Sequence, residues 1–523
     1  MTTDNVLPAS LQAHPGLSVP LGFSCGVWRA TVNADHLPDL VDRLLHGLGF
    51  TLLLAAGEDR RRSSGRMHVH YLCGRHSSHE LLHLDVAIAG DAPAIPTLAA
   101  QSFPASRFER EMRDLIGITP AGHPDPRPLV RHGFWPKDFY PLRDDAVLPD
   151  FGDRGQPFPF TPVQGDGVYE IPVGPVHAGV IEPGHFRFNV LGETILKMRA
   201  RLYFTHKGTE KLFVGKKPAD GVALAERVSG DTSVGHALAY CQAIENLAGL
   251  ALPGRAAAGR VVLLELERMY NHVGDVGAIL ADTGFAVGQA HALRVREGLL
   301  RLNGRLTGHR LLRGVMVPGG ITVPVDDAGV VPELRRLVAD VNEIVEISLA
   351  NTLVTDRLDE TGQLPVSVAR DFGVVGYVAR GCGLPHDVRV DYPFAAYGTL
   401  NPTAIVEETG DVRARMSVRV REIAESLALI DRAIASSPAD GALRADVGPL
   451  PAFTMGFGLV EAWRGRLAHA VMADNAGLLH RVKIVDPSYF NWPALARALE
   501  DNIVPDFPLC NKSFNQSYSG NDL

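Results

Sequence analysis

Apolar and polar positions change period several times along the chain, and each change predicts an element. Leu37, Leu40, Val41, Leu44, Leu45 and Leu48 recur at three-and-four spacing, which predicts an amphipathic helix over 32–48. Residues 67–73 and 81–89 alternate or run apolar, as strands do. Residues 1–145 therefore carry an α+β signature. Pro149, Gly152, Gly155, Pro157, Pro159 and Pro162 then break any regular period, so 146–168 reads as a linker. Strand-like runs separated by Gly and Pro occupy 169–212. Long helical periods follow at 235–250, 257–283, about 331–352 and about 411–435, the first closed by Pro253-Gly254. Within 257–283, Leu263, Leu266, Tyr270, Val273, Gly277 and Leu280 make one apolar face; Glu267, Arg268, Asn271, His272 and Asp275 line the other. The expected fold class is α+β: an α+β domain over 1–145, then a mainly helical domain with small β elements over 169–523.

Composition narrows the picture. Hydrophobic residues are 46% and charged residues 21% of 523, ordinary for a globular protein with ample core. A net charge of -8, with no basic patch interleaved with aromatics, argues against nucleic acid as a partner. Arg60-Arg61-Arg62 beside Ser63-Ser64-Gly65 reads as a solvated turn. The apolar run 52–56 stops at Gly57-Glu58-Asp59, far short of the ~20 residues of a membrane helix. Residues 1–15 lack the charged-then-apolar pattern of a signal peptide. Membrane association is thus expected only through partners. Cys25, Cys73, Cys241, Cys382 and Cys510 are scattered, with no C-x-x-C pair. That excludes a local zinc, iron–sulfur or dithiol site and suggests buried free thiols in a cytosolic protein.

Several motifs carry a family resemblance. Asp114-Leu115-Ile116-Gly117-Ile118, Gly122-His123-Pro124-Asp125 and Lys137-Asp138-Phe139-Tyr140-Pro141-Leu142 resemble the C subunit of respiratory complex I. Gly174-Pro175-Val176-His177, Glu182-Pro183-Gly184-His185-Phe186, His206-Lys207-Gly208-Thr209-Glu210-Lys211, Glu267-Arg268-Met269-Tyr270-Asn271-His272 and Leu306-Thr307-Gly308-His309-Arg310 resemble its D subunit and the large subunit of energy-converting nickel–iron hydrogenases. Pro318-Gly319-Gly320, Arg380-Gly381-Cys382-Gly383, Arg464-Gly465 and Asp486-Pro487-Ser488-Tyr489-Phe490-Asn491-Trp492 extend that likeness. C-like and D-like parts in one chain point to the hydrogenase-4 and formate hydrogenlyase branch.

In hydrogenases of this kind, each of two segments supplies two cysteines three residues apart to the metals. By resemblance those positions are Ser229 and Thr232, then Ser517 and Gly520. Nickel and iron at such a centre need soft thiolates, so the chain is expected to bind no metal and to lack hydrogenase activity. The resemblance implies instead an electron-transfer and coupling subunit of a complex I-like oxidoreductase. A 4Fe–4S cluster would sit on a neighbouring small subunit resembling the complex I B subunit. A ferredoxin-like subunit and antiporter-like membrane subunits would complete the assembly, at the cytoplasmic face of the inner (plasma) membrane. A non-redox scaffold is the alternative.

Ser229, Thr232 and Ser517 are read either as simple packing or as a hydroxyl-lined cavity for an oxygen-liking ligand or a quinone headgroup. The histidine and tyrosine that a complex I D subunit offers quinone align with Ile181 and Gly230, so any quinone site would be relocated to His177, His185, Asp231 or His236. Glu182 matches a proton-passing glutamate, and Arg227 an arginine set against the neighbour's cluster. Asp275 and Asp282 share a helix face with a proton path or solvent as its destination. Arg380 and Arg464 match arginines near the active centre, where they act or brace.

Overall fold

The structure is a computed structural model describing residues 14–152, 155–178, 181–327 and 329–523. The chain divides into two compact units, Met1–Phe160 and Thr161–Leu523.

The first unit is built on a five-stranded sheet. Its strands β1 (Leu17–Ser24), β2 (Val27–Val32), β3 (Thr51–Arg60), β4 (Arg66–Arg75) and β5 (Glu80–Ala89) lie in the order β1-β2-β5-β4-β3. Only the β2–β5 pair is parallel. Helix Phe103–Ile116 packs on β3, capped by the Ser102 hydroxyl at its start and by Gly117 at φ 79° at its end. Gly57 makes room there: a Cβ would lie 2.9 Å from both Ile116 and Ile118. A line of polar side chains also crosses the strands, from Arg29 through His83 and His70 to Glu58, with links of 3.2, 3.1 and 2.8 Å.

Two expectations for this unit need correction. The predicted 32–48 helix is broken into a 3-10 turn Ala34–His36, a short helix Leu37–Asp42 and a wider turn Arg43–Gly47. Pro38 restarts the helix at its first turn, and Gly47 and Gly49 end it. The basic run is not a solvated turn throughout. Arg60 and Arg61 are drawn onto Glu58 and Asp59 at 2.7 Å, and only Arg62 stays exposed.

The second unit is organised around one long helix, Gly254–Asp282 (the central helix). Helix Val412–Ser436 packs along it, and helix Ala286–Thr307 packs on another side. The last of these was not expected from the sequence, because Gly288, Gly298 and Gly304 blur its period. Helix Ser233–Ala248 (the entry helix) lies on a three-stranded antiparallel meander, Met455–Ala462, Gly465–Ala473 and Leu479–Val485. A second three-stranded sheet, Val168–Val173, His185–Leu191 and Thr194–Arg201, precedes them. Helices Pro487–Ala498, Phe507–Phe514 and Tyr518–Asp522 close the chain. Among the described residues no helix is long and apolar enough to cross a membrane.

The second face of the central helix is not solvated. Glu267, Arg268, Asn271, His272 and Asp275 are each 5% exposed or less. Their complement comes from within the unit: Glu265 for Arg268, Glu422 for His272 and Arg419 for Asp275. A polar face can be buried when each charge meets a partner.

Candidate functional site: two hydroxyl-bearing segments locked by an ion pair

The loop before the entry helix takes its shape from Glu267. Thr232, the N-cap residue, makes no side-chain cap. The Glu267 carboxylate accepts the Val234 and Gly235 amides instead, at 2.6 and 2.9 Å. Burial pushes its pKa up to about 8 against the pull of those two donors. With the helix start satisfied, the buried Thr232 hydroxyl is left for side-chain partners. It donates to Asp231 at 3.0 Å, and the Ser229 hydroxyl lies 2.9 Å from the same Asp231 oxygen.

Arg464 closes this loop. Ala462 pairs with Gly465, leaving Trp463 and Arg464 as a two-residue hairpin tip. The Arg464 guanidinium grips Asp231 in bidentate fashion, Nη1 and Nη2 each at 2.7 Å, and stacks on Trp463 with 4.0 Å to the ring centre. Trp463 Nε1 donates to Asp231 O at 3.0 Å and to Thr232 Oγ1 at 3.1 Å. Burial works to raise the Asp231 carboxyl, but Arg464 and the two hydroxyls hold it at about 2.

A carboxyl depressed from 3.8 contributes stability that is complete above that value and lost as pH falls towards about 2. Asp231→Asn should therefore be less stable than wild type near neutrality, with the gap closing on the acid limb. Acid unfolding followed by circular dichroism checks it. The Asp231 side chain is 37% exposed, so water screens part of the effect.

The C-terminal segment is fastened one carbonyl at a time. Arg419 Nη2 donates to Ser513 O, the Tyr377 hydroxyl to Phe514 O and Arg464 Nε to Asn515 O, all at 2.6 Å. Asn515 turns the chain at φ 38° and donates to Asp275 at 2.6 Å. This delivers the Ser517 hydroxyl to 2.8 Å from that of Ser229. Ser517 also accepts the Gly520 amide at 2.9 Å, and Glu182 accepts the Ser519 amide at 3.0 Å. Gly520 is confined: a Cβ there would stand 2.6 Å from the Asp486 carboxylate.

Asp486 begins a fully buried line of titratable groups. His236 Nε2 is 3.1 Å from Asp486 Oδ2, and His236 Nδ1 is 3.0 Å from His469 Nε2. Each link is satisfied when His236 donates from Nε2 to Asp486 and His469 donates from Nε2 to His236 Nδ1. His469 Nδ1 is then a bare acceptor, and it has no partner. Burial, then His236, keeps the His469 pKa well below its usual value. Burial raises the Asp486 carboxyl, but hydrogen bonding to His236 brings it below the ordinary range.

The structure thus brings Ser229, Asp231, Thr232, Ser517, Glu182 and His236 together, joined by Arg464, Asp486 and His469. His469 was not singled out from the sequence. Its signal was one histidine inside the apolar run Leu467-Ala468-His469-Ala470-Val471. The other expected residues lie apart from this network. His177 donates to Gly184 O at 2.7 Å, and His185 accepts from Arg187 at 3.1 Å. The Arg227 side chain is 58% exposed and donates to Ala223 O. Asp282 sits at the end of the central helix, its pKa raised by burial. Arg380 belongs to a separate buried ionic cluster.

These residues do not fit a nickel–iron centre. The four positions offer three hydroxyls and no side chain at Gly520, and the hydroxyls are already bonded to one another or to Asp231. The Asp486 carboxylate lies where a fourth side chain would begin. The thiols are engaged elsewhere: Cys382 Sγ donates to Val378 O at 3.1 Å and Cys510 Sγ lies 4.0 Å from Arg415, and among the described residues no cysteine belongs to a cluster of metal-ligating side chains.

The family pattern described as respiratory-chain NADH dehydrogenase, 30 Kd subunit, matches residues 30–151. The 49 Kd subunit pattern matches residues 282–455. Formate hydrogenlyase subunit 5 of Escherichia coli is 33% identical, over 94% of this chain and 88% of its own. The chain belongs to that hydrogenase-related large-subunit family. Hydrogenase-4 component G of the same organism is also 33% identical, over 94% of this chain and 87% of its own. A solved membrane-bound sulfane sulfur reductase of archaeal origin shares the fold, with a TM-score of 0.63 and 24% identity. It covers 69% of this chain and 100% of its own.

Proposed function

We propose that this chain is the large subunit of a membrane-associated, complex I-like oxidoreductase complex. It passes electrons, with quinone as a candidate acceptor, or couples redox change to ion translocation, without a nickel–iron site. The observation that carries this reading is the Asp231–Arg464 ion pair tying together the hydroxyls of the segments that resemble metal-binding ones. Family membership gives the frame, and the ion pair supports reading that frame without metal chemistry.

Electrons enter, in this reading, from a 4Fe–4S cluster on a neighbouring small subunit. The exposed Arg227 guanidinium is available to such a neighbour, where its charge favours the reduced cluster. Protons move along this chain's own groups. A proton taken up at His469 Nδ1 shifts the hydrogen bonds through His236 and emerges at Asp486, beside Gly520. Glu182 is a carboxylate bonded to the same C-terminal turn, through the Ser519 amide.

Affinity purification of the tagged chain from solubilised membranes tests the reading. Iron–sulfur small, ferredoxin-like and antiporter-like subunits are expected to accompany it, with electron transfer to a quinone analogue and no hydrogen uptake. A chain that purifies alone, or an assembly that consumes hydrogen, contradicts it. The closed hydrogen bonding of the hydroxyls equally favours a non-redox scaffold holding small subunit and membrane arm together. His469→Phe separates the two: a scaffold keeps its assembly and loses nothing else, whereas the redox reading requires a changed pH profile of electron transfer.

A further inference from the structure

Three carboxylates converge on one guanidinium inside the second unit. Arg380 places Nη1 2.7 Å from Glu461 and 3.5 Å from Asp387, and Nη2 2.5 Å from Glu422. Two further arginines complete the cluster. Arg389 lies 2.7 Å from Asp387, 3.2 Å from Glu265 and 3.3 Å from Glu422. Arg268 lies 3.0 Å from Glu265 and 3.9 Å from Glu422. All seven side chains are at most 1% exposed. Four carboxylates therefore face three guanidiniums with no solvent to balance the surplus, and a buried uncompensated charge is costly.

The surroundings do not cancel it. His272 on the central helix lies 2.7 Å from Glu422, but burial lowers its pKa and its Nδ1 has no partner, so the ring is neutral. Across the hairpin from Glu461, Arg466 forms no ion pair with it, and its Nε and Nη2 are unpartnered. Burial lowers the Arg466 pKa to about 10, while Tyr392, then Glu461, then Asp391 act on its charge from a distance, and Glu461 gains no hydrogen bond from it. Tyr397 and Ser426 donate to Glu265 and add no charge.

Partner sets decide which carboxylate takes the proton. Glu265 is held by two arginines and two hydroxyls, and Glu422 by three arginines and His272. Asp387 chelates Arg389 through both oxygens. Glu461 has only its share of Arg380 and the Val388 amide at 3.1 Å. Among carboxylates crowded into one site, the least supported ionises last.

We propose that Glu461 is the buried proton-binding site of this cluster. Burial, then the charge of Asp387, pushes its pKa up to about 7 against Arg380. Because the folded value is raised, the fold binds this proton more tightly than the unfolded chain does. Its contribution to stability is complete at low pH and lost as pH rises through about 7.

The position gives the site a use. Glu461 stands three residues before Arg464 on the same hairpin. Trp463 between them edges His272, with ring centres 6.1 Å apart, while donating to Asp231 and Thr232. A charge change at the Asp231–Arg464 pair thus reaches the Glu461 cluster through one turn of chain. This use rests on the coupling role proposed above; the proton site itself does not.

Infrared spectroscopy of the full chain, carrying 13C in its glutamate side-chain carboxyls and studied without partners or electron donors, tests the site. Wild type is expected to show a protonated-carboxyl stretch with a component that fades as pH rises through about 7. Glu461→Gln and Glu461→Asp, the second falling outside the label, are both expected to diminish that component, leaving only the part from Glu109, which burial also pushes up to about 7. The bands of the other buried glutamates, Glu267 and Glu109, stay in both variants. Either variant, folded and with the neutral-titrating component undiminished, overturns the proposal. Failure here leaves the subunit role standing, and failure of co-purification leaves the Glu461 proton standing.

Discussion

Putting cysteine at Ser229, Thr232, Ser517 and Gly520 together is expected to weaken the fold and to bring in no nickel. The weak point is Gly520. Its Cβ would stand 2.6 Å from Asp486, whose carboxylate is held by His236 and by the Ser488 amide at 2.8 Å. Either Asp486 moves and the buried His236–His469 line loses its acceptor, or the final turn moves off Ser517. Overpacking a tight site costs about 1–3 kcal/mol. A buried polar group left without its partner costs roughly another 1–3 kcal/mol. Gly520→Cys alone should account for most of the loss, because the three hydroxyl positions already hold side chains of similar size. Denaturant titration gives the stabilities, and elemental analysis after refolding with nickel gives the metal. A four-cysteine variant as stable as wild type would mean that Asp486 is not held as described.

The second large effect belongs to Arg380. Arg380→Ala removes the guanidinium that Glu461, Asp387 and Glu422 share, and breaking one partner out of a buried ionic cluster costs about 3–5 kcal/mol. Lysine should rescue little. Arg380 serves Glu461 from one terminal nitrogen and Glu422 from the other, and a single ammonium cannot span both. Arg227→Ala, by contrast, should fall within about 0.5 kcal/mol, since its side chain lies largely in solvent. Midpoints of urea unfolding for the three variants decide it. A loss at Arg380 no larger than at Arg227 would contradict the cluster's place in the core.

Much of the fold was legible because long helices and alternating strands write their periods plainly. The central helix, helix Val412–Ser436 and strands β4 and β5 fall close to where the pattern put them. What period could not show was which polar faces meet each other. The face bearing Glu267, His272 and Asp275 reads either as a proton path or as solvated, because a sequence does not reveal that Glu422 and Arg419 arrive from a helix far along the chain. The hydroxyl segments were legible only through resemblance to relatives. That resemblance placed Ser229 near Ser517, and the Ser229–Ser517 hydrogen bond is consistent with it. It could not supply the Asp231–Arg464 pairing or His469. Those depend on a two-residue hairpin tip whose reach is a matter of register.

The two segments that resemble metal-binding ones are closed on each other by hydroxyls, a carboxylate and a guanidinium. Nickel and iron analysis of the assembly, purified intact under anaerobic conditions, tests it most directly. Iron is expected from the neighbouring cluster-bearing subunits, with nickel far below parity with this chain. Nickel at parity with the chain, retained through purification, would contradict the account.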